Sequence, residues 1–146
     1  MILDGVRVAD LTDGIAGAYC TKLLTDLGAD VALTEADGSH PLRARDDGAL
    51  FDYLRASQRS TDIAPGALAA DADIVVRGPS GPAVDALVTV VITAVGRGGP
   101  DDGLELPEPV LQARSGSLSG KGHAHLPPLT LGGDLGEYVT GAFAAL

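Results

Sequence analysis

Apolar and polar side chains alternate from Val6 to Leu11, which predicts a short strand, and the period then changes. From Ala16 onward Tyr19, Cys20, Leu23, Leu24 and Leu27 recur at the three- and four-residue spacing of one helix face. Gly28 follows, where a helix enters the left-handed conformation and stops, and Ala29 to Thr34 predicts a second strand. A strand, a helix and a strand of these lengths make a β-α-β unit with parallel strands. Further along, Ala49 to Ala56 predicts a helix, Ala72 to Arg77 a buried strand, and Pro82 to Leu87 a helix. Leu87 to Thr93, the most β-branched run in the chain, predicts another strand. Turn-rich stretches at Asp37 to Asp47 and Gly96 to Pro109 separate these pieces without a charge block or repeat that marks a second domain. The fold expected is α/β, a Rossmann-like parallel sheet with helices on both faces.

The last segment differs in kind. Gly132-Gly133-Asp134 precedes a run, Leu135 to Leu146, that reads as a helix apolar on nearly every side, with Leu135, Val139, Phe143 and Leu146 in need of cover.

Composition narrows the functions. Twenty acidic side chains against ten Lys and Arg give a net charge of -10, which argues against nucleic acid, because phosphate binding needs clustered cations. No run of eighteen apolar residues is present, so no membrane partner is expected. A single cysteine, Cys20, rules out an internal disulfide and a cysteine-pair metal site, and the opening Met1-Ile-Leu-Asp lacks the pattern of a secretion signal, so a cytoplasmic, reducing setting is expected.

The local motifs divide into bland and pointed ones. Gly96-Arg-Gly-Gly-Pro100 follows a strand but lacks the Walker lysine and the dinucleotide spacing, and so reads as a glycine-rich bend. His123 and His125 stand two apart without a third ligand nearby, so no metal is expected and they read as exposed loop histidines. Asp46-Asp47 and Asp101-Asp102 read as solvated turns. Asp134 stands where a helix begins, and two readings are open: an N-cap, or an ionised nucleophile approached closely across its glycines, able to form a mixed anhydride with an acyl group.

Three blocks carry a resemblance: Leu3-Asp-Gly-Val-Arg-Val-Ala-Asp-Leu-Thr12, Ala16-Gly-Ala-Tyr-Cys-Thr21 and Leu23-Leu-Thr-Asp-Leu-Gly-Ala-Asp-Val31. Together they resemble the opening of the class III CoA-transferases, the group that includes formyl-CoA and carnitine CoA-transferases and the 2-methylacyl-CoA racemases. Ala72 to Val76, Val95 to Pro100, Leu111 to Gly116 and Pro128 to Asp134 resemble later landmarks in the same order, so the likeness runs through all 146 residues. It implies that residues 1–146 form an N-terminal Rossmann-like domain. A smaller second domain and a C-terminal return belong to longer relatives, so the chain reads as an N-terminal fragment, inactive by itself.

The resemblance further implies that Asp134 is the catalytic residue and that coenzyme A is a substrate, with no permanently bound cofactor. The Ala16-Gly17 turn is an implied coenzyme contact, and Arg55, Arg59 and Arg77 are expected to supply compensating positive charge to its phosphates from shifted positions where this chain departs from the group. Acyl-CoA and a carboxylic acid are the implied partners, in an interlinked homodimer. Racemases of the group use a histidine base where this chain has Leu106-Pro-Glu108, which favours transfer.

Some positions differ from the group. Its Asn-Arg-Gly-Lys-Arg-Ser appears as Arg55-Ala-Ser-Gln-Arg-Ser60, with Gln58 replacing the lysine; Arg77-Gly-Pro-Ser80 replaces Glu-Asn-Phe-Arg; and Ala32-Leu-Thr-Glu35 replaces Ile-Lys-Val-Glu. Two functions therefore stand: a CoA-transferase acting through an aspartyl-CoA intermediate, and a family domain that keeps the fold while serving in assembly.

Overall fold

The computed structural model describes residues 1–35 and 38–146. Five parallel strands form one sheet in the order β3-β2-β1-β4-β5. The strands are β1 (Arg7–Leu11), β2 (Asp30–Thr34), β3 (Arg59–Thr61), β4 (Ile74–Arg77) and β5 (Val88–Val91). The helices are α1 (Ile15–Asp26), α2 (Ala49–Leu54), α3 (Pro65–Ala70), α4 (Glu108–Arg114) and α5 (Leu135–Ala144). No helix among the described residues is long and apolar enough to cross a membrane.

Side-chain alternation along the central strands distributes the core between two faces. Val8, Val31 and Val76 meet Cys20 and Leu24 of α1 on one face, with Leu33 in a neighbouring cluster beside Ile15, Phe51 and Leu54. Ala9, Ala32 and Val75 face the other way, onto Leu68 and Ala69 of α3. Helices thus cover both faces, as the pattern of the sequence implies. Ala9 lies in register with Ala32 and with Val75, so small and β-branched side chains share the middle of the sheet.

The α1 helix ends as its sequence predicts: Gly28 has φ +104°, and the amide of Ala29 reaches back to the Leu24 carbonyl at 3.0 Å. Pro82 to Leu87, expected as a helix, is irregular, and Leu87 is exposed. Val84 and Ala86, two positions apart, both pack against the α3 cluster, which an extended segment allows and a helix, setting them on opposite sides, does not. The turn-rich expectation from Asp37 to Asp47 resolves into two single 3-10 turns, Pro41–Ala44 and Asp46–Gly48, while position 37 lies outside the described residues.

The final helix docks by close approach. An added Cβ at Gly141 would run into the carbonyl oxygen of Ala16, so the absence of a side chain lets α5 lie directly on α1. Tyr138 meets Tyr19 edge-on at 5.2 Å between ring centres, and Ala144 and Ala145 reach the core beside Val8. The other side of α5 stays open, with Leu135, Val139, Phe143 and Leu146 exposed.

Candidate functional site

In an open parallel sheet whose order runs outward from a central strand, the crevice lies beyond the carboxyl ends of the strands where the order reverses, here between β1 and β4. Thr12, Gly14 and the first turn of α1 stand at that place. An added Cβ at Gly17 would collide with the Thr12 side chain, which explains why the Ala16-Gly17 turn is built from small residues. The free amide of Ala16 is already taken: Glu137 of α5 accepts from it at 3.0 Å, supplying negative charge to the start of α1.

Asp134 sits one turn before Glu137, at the N-cap position of α5, yet its side chain makes no capping hydrogen bond. Its Oδ2 accepts instead from Nη2 of Arg45 at 2.7 Å, and among the described residues Oδ1 accepts no hydrogen bond. The capping work passes to Glu108 of α4, whose Oε1 accepts from the Gly136 amide at 3.0 Å. One turn further along α4, Gln112 accepts from the Leu131 amide at 2.8 Å and donates to the Leu131 carbonyl at 3.3 Å. Glu108 and Gln112 therefore fix the backbone on both sides of Asp134. Its carboxylate is left one-third exposed. The hydrogen bond to Asp134 raises the Arg45 pKa above its ordinary value, keeping that guanidinium charged.

A second aspartate-arginine pair is closed. Arg55 donates to Asp10 through Nη1, and the same nitrogen reaches Thr21 Oγ1 at 3.1 Å and Gln58 Oε1 at 3.2 Å. Asp10 also accepts from the amide and hydroxyl of Thr12, at 2.9 and 2.6 Å, and from Thr21 Oγ1 at 2.6 Å. His40 completes the group. Its Nδ1 accepts from the Leu42 amide at 3.2 Å, which assigns the proton to Nε2, within 3.2 Å of the Thr12 carbonyl. Burial, and then the charge of Arg55, push the His40 pKa down, so the ring is held neutral.

The five residues expected to contact coenzyme do not converge. Ala16 and Gly17 lie at the crevice. Arg55, expected to offer charge to phosphate, is buried and committed to Asp10. Gln58 explains part of that commitment: it accepts from Arg55, whereas a lysine has no acceptor and would set a second cation beside the first. Arg77, at the end of β4, folds onto its own loop, donating to the Gly78 and Gly81 carbonyls at 3.1 and 3.3 Å. Arg59 begins β3 and turns to Asp30, at the amino end of the sheet, 3.3 Å away and largely exposed. His123 and His125 stack 5.8 Å apart in an exposed loop, and among the described residues no three metal-ligating side chains gather.

Arg45, Glu108, Gln112 and Glu137 escape the sequence reading. The Glu108 and Gln112 spacing of four along one helix is a signal that they act together, but nothing local shows what they hold.

Comparison with known proteins decides the family. A profile of CoA-transferase family III matches residues 3–78, more than half of the chain. The chain belongs to CoA-transferase family III. Over 173 aligned residues it is 28% identical to the formyl-CoA:oxalate CoA-transferase of Rhodopseudomonas palustris, covering 99% of this chain and 41% of that protein. A succinyl-CoA:mesaconate CoA-transferase of Haloarcula hispanica is 52% identical over 42 residues, 29% of this chain and 11% of the relative. Among solved structures, a hypothetical protein of Mycobacterium tuberculosis matches with a TM-score of 0.81 and 25% identity, covering 98% of this chain and 48% of its own. A CAIB/BAIF family protein of Brucella suis matches with a TM-score of 0.84 at 22% identity, covering 98% and 47%, a likeness of fold. The chain thus spans less than half the length of each of these relatives.

Proposed function

We propose that this chain supplies the nucleophile-bearing sheet domain of an enzyme that moves coenzyme A between an acyl-CoA and a carboxylic acid, with Asp134 as the nucleophile. One observation carries the reading: Asp134 stands at a helix start without capping it, its backbone fixed on both sides, with Oδ2 held by Arg45 and Oδ1 open. A carboxylate so placed is relieved of structural duty and oriented for attack.

The chemistry follows in balanced steps. Oδ1 bonds to the thioester carbonyl carbon, the carbon-sulfur bond breaks, and coenzyme A leaves as thiolate, giving a mixed anhydride. The thiolate attacks the aspartyl carbonyl, expelling the donor acid as carboxylate and leaving Asp134 as a coenzyme A thioester. An acceptor carboxylate attacks that thioester, expelling thiolate and forming a second anhydride. Thiolate attack on the acceptor acyl carbon then gives the new acyl-CoA and restores the Asp134 carboxylate. Formyl-CoA with oxalate and succinyl-CoA with mesaconate, the substrates in the relatives' names, are the first pairs to try.

Incubation of the enzyme that contains this domain with either acyl-CoA, hydroxylamine trapping and mass spectrometry of the peptide that spans residue 134 test the reading. An Asp134 hydroxamate, absent from Asp134→Asn, is expected. An Asp134→Asn protein that transfers coenzyme A at the unmutated rate would remove Asp134 from the mechanism.

A second reading, a family domain without a coenzyme site that serves in assembly, draws on the internal commitments of Arg55 and Arg77. Calorimetry separates the two: saturable coenzyme A binding supports the enzyme, and none at millimolar ligand supports the assembly role.

A further inference from the structure

Each covalent stage of the proposed reaction removes the charge from Asp134, and Arg45 is the cation that loses its partner. Its side chain is 44% exposed, and Asp134 is its one ion-pair partner among the described residues. Only one N-H of the guanidinium fork is engaged there, and the same fork can grip a carboxylate with two. The other arginines near this end of the sheet have partners that the reaction leaves untouched. Arg43 is held on Glu35 and stacked 3.7 Å over the Phe51 ring, Arg55 is sealed against Asp10, and Arg77 is turned onto loop carbonyls.

We propose that Arg45 is a carboxylate-exchange residue, pairing with Asp134 in the resting state and with the carboxylate of the acid substrate while Asp134 is a coenzyme A thioester. The inference rests on the proposed role of Asp134 and adds a residue that selects the acid. The charge arithmetic is what recommends it. Formation of the aspartyl thioester sets free one carboxylate, that of the donor acid, and neutralises one, that of Asp134. A single fixed guanidinium can therefore serve both in turn, and the incoming acid is placed beside the carbonyl it must attack.

Asp134→Asn reproduces the neutral state without any substrate turnover. Calorimetric titration of oxalate, mesaconate and acetate into Asp134→Asn is expected to show at least one of them binding at least about tenfold more tightly than to the unmutated protein. Arg45→Ala introduced into the Asp134→Asn protein should abolish that gain, and Arg45→Lys should restore part of it. No gain for any of the three acids, or a gain that survives Arg45→Ala, overturns the role of Arg45. The two ideas fail separately. An Asp134 hydroxamate that forms in a protein showing no such gain leaves the nucleophile standing and removes Arg45, whereas a failure to form the hydroxamate strikes the mechanism on which the exchange depends.

Discussion

Two aspartate-arginine pairs lie at the same end of the sheet and differ in nearly everything but their chemistry. Asp10 and Arg55 are sealed, with side chains 0% and 2% exposed, and Thr12, Thr21, Gln58 and His40 gather about them. Asp134 and Arg45 are open, 33% and 44% exposed, and a single hydrogen bond joins them. A sealed pair ties β1, α1 and the Arg55 segment together because breaking it leaves a charge stranded away from water. An open pair contributes little to stability and is free to part. Burial, not residue type, separates the pair that builds the site from the one that can act in it.

The strongest way to break this comparison is Arg55→Met. It leaves Asp10 buried without its cation and is expected to cost about 3–5 kcal/mol in urea unfolding. A loss below about 1 kcal/mol would place the sealed pair with the open one. Next comes Gly141→Val, which forces a side chain against the Ala16 carbonyl and is expected to cost about 1–3 kcal/mol. Proteolysis should then cut residues 135–146 first, and the same variant should slow adduct formation because α5 carries Asp134. A smaller stability effect belongs to Asp134→Asn, at most about 1 kcal/mol for an exposed pair, alongside complete loss of the trapped adduct.

The smallest effect sharpens the sealed side. His40 is neutral in the folded protein, its pKa lowered by burial and by Arg55, so the unfolded chain binds the extra proton as pH falls below about 6.5. Stability present above that pH should decline on acidification, and His40→Gln should flatten the slope. Glu35, lowered to about 2 by its hydrogen bond from Arg43, contributes a separate loss confined to pH below its ordinary 4.5.

The sequence makes the sheet's centre readable because burial imposes a period there. The β1, β2, β4 and β5 strands and α1 with its Gly28 stop all carry apolar positions at the spacing of their element. By contrast, β3 is Arg-Ser-Thr, exposed at the sheet edge, and exists because β2 offers unpaired backbone groups. For α3 a signal was available in Pro65 at the first helical position, but Gly66 directly after it weakens the local pattern.

The site divides in the same way. Asp134 is legible as a helix start after glycines, while the choice between cap and nucleophile depends on where its oxygens point. Residues distant in the chain decide that. Arg45, 89 positions before Asp134, takes Oδ2, and Glu108, 28 positions before Gly136, takes the cap. After Arg77, only Gln112 and Gly141 are buried among the described residues, so the chain that carries Asp134 is attached by polar clamps and one close helix contact. Such attachments leave little periodic trace.

Cys20 turns that close contact into a reporter. The thiol is fully buried between α1 and Val8, Val31 and Val76 of the sheet, in a cluster that Ala144 and Ala145 at the end of α5 help to close, and burial together with the charge of Asp10 pushes its pKa up to about 12. While α5 is seated, the sulfur is a poor nucleophile shielded from reagent. When α5 lifts, the cluster loses Ala144 and Ala145 and the sulfur is left with a thinner cover. Its alkylation rate is therefore a clock for how often the end of α5 leaves that cluster, written into the chain by its single cysteine and readable without any added label.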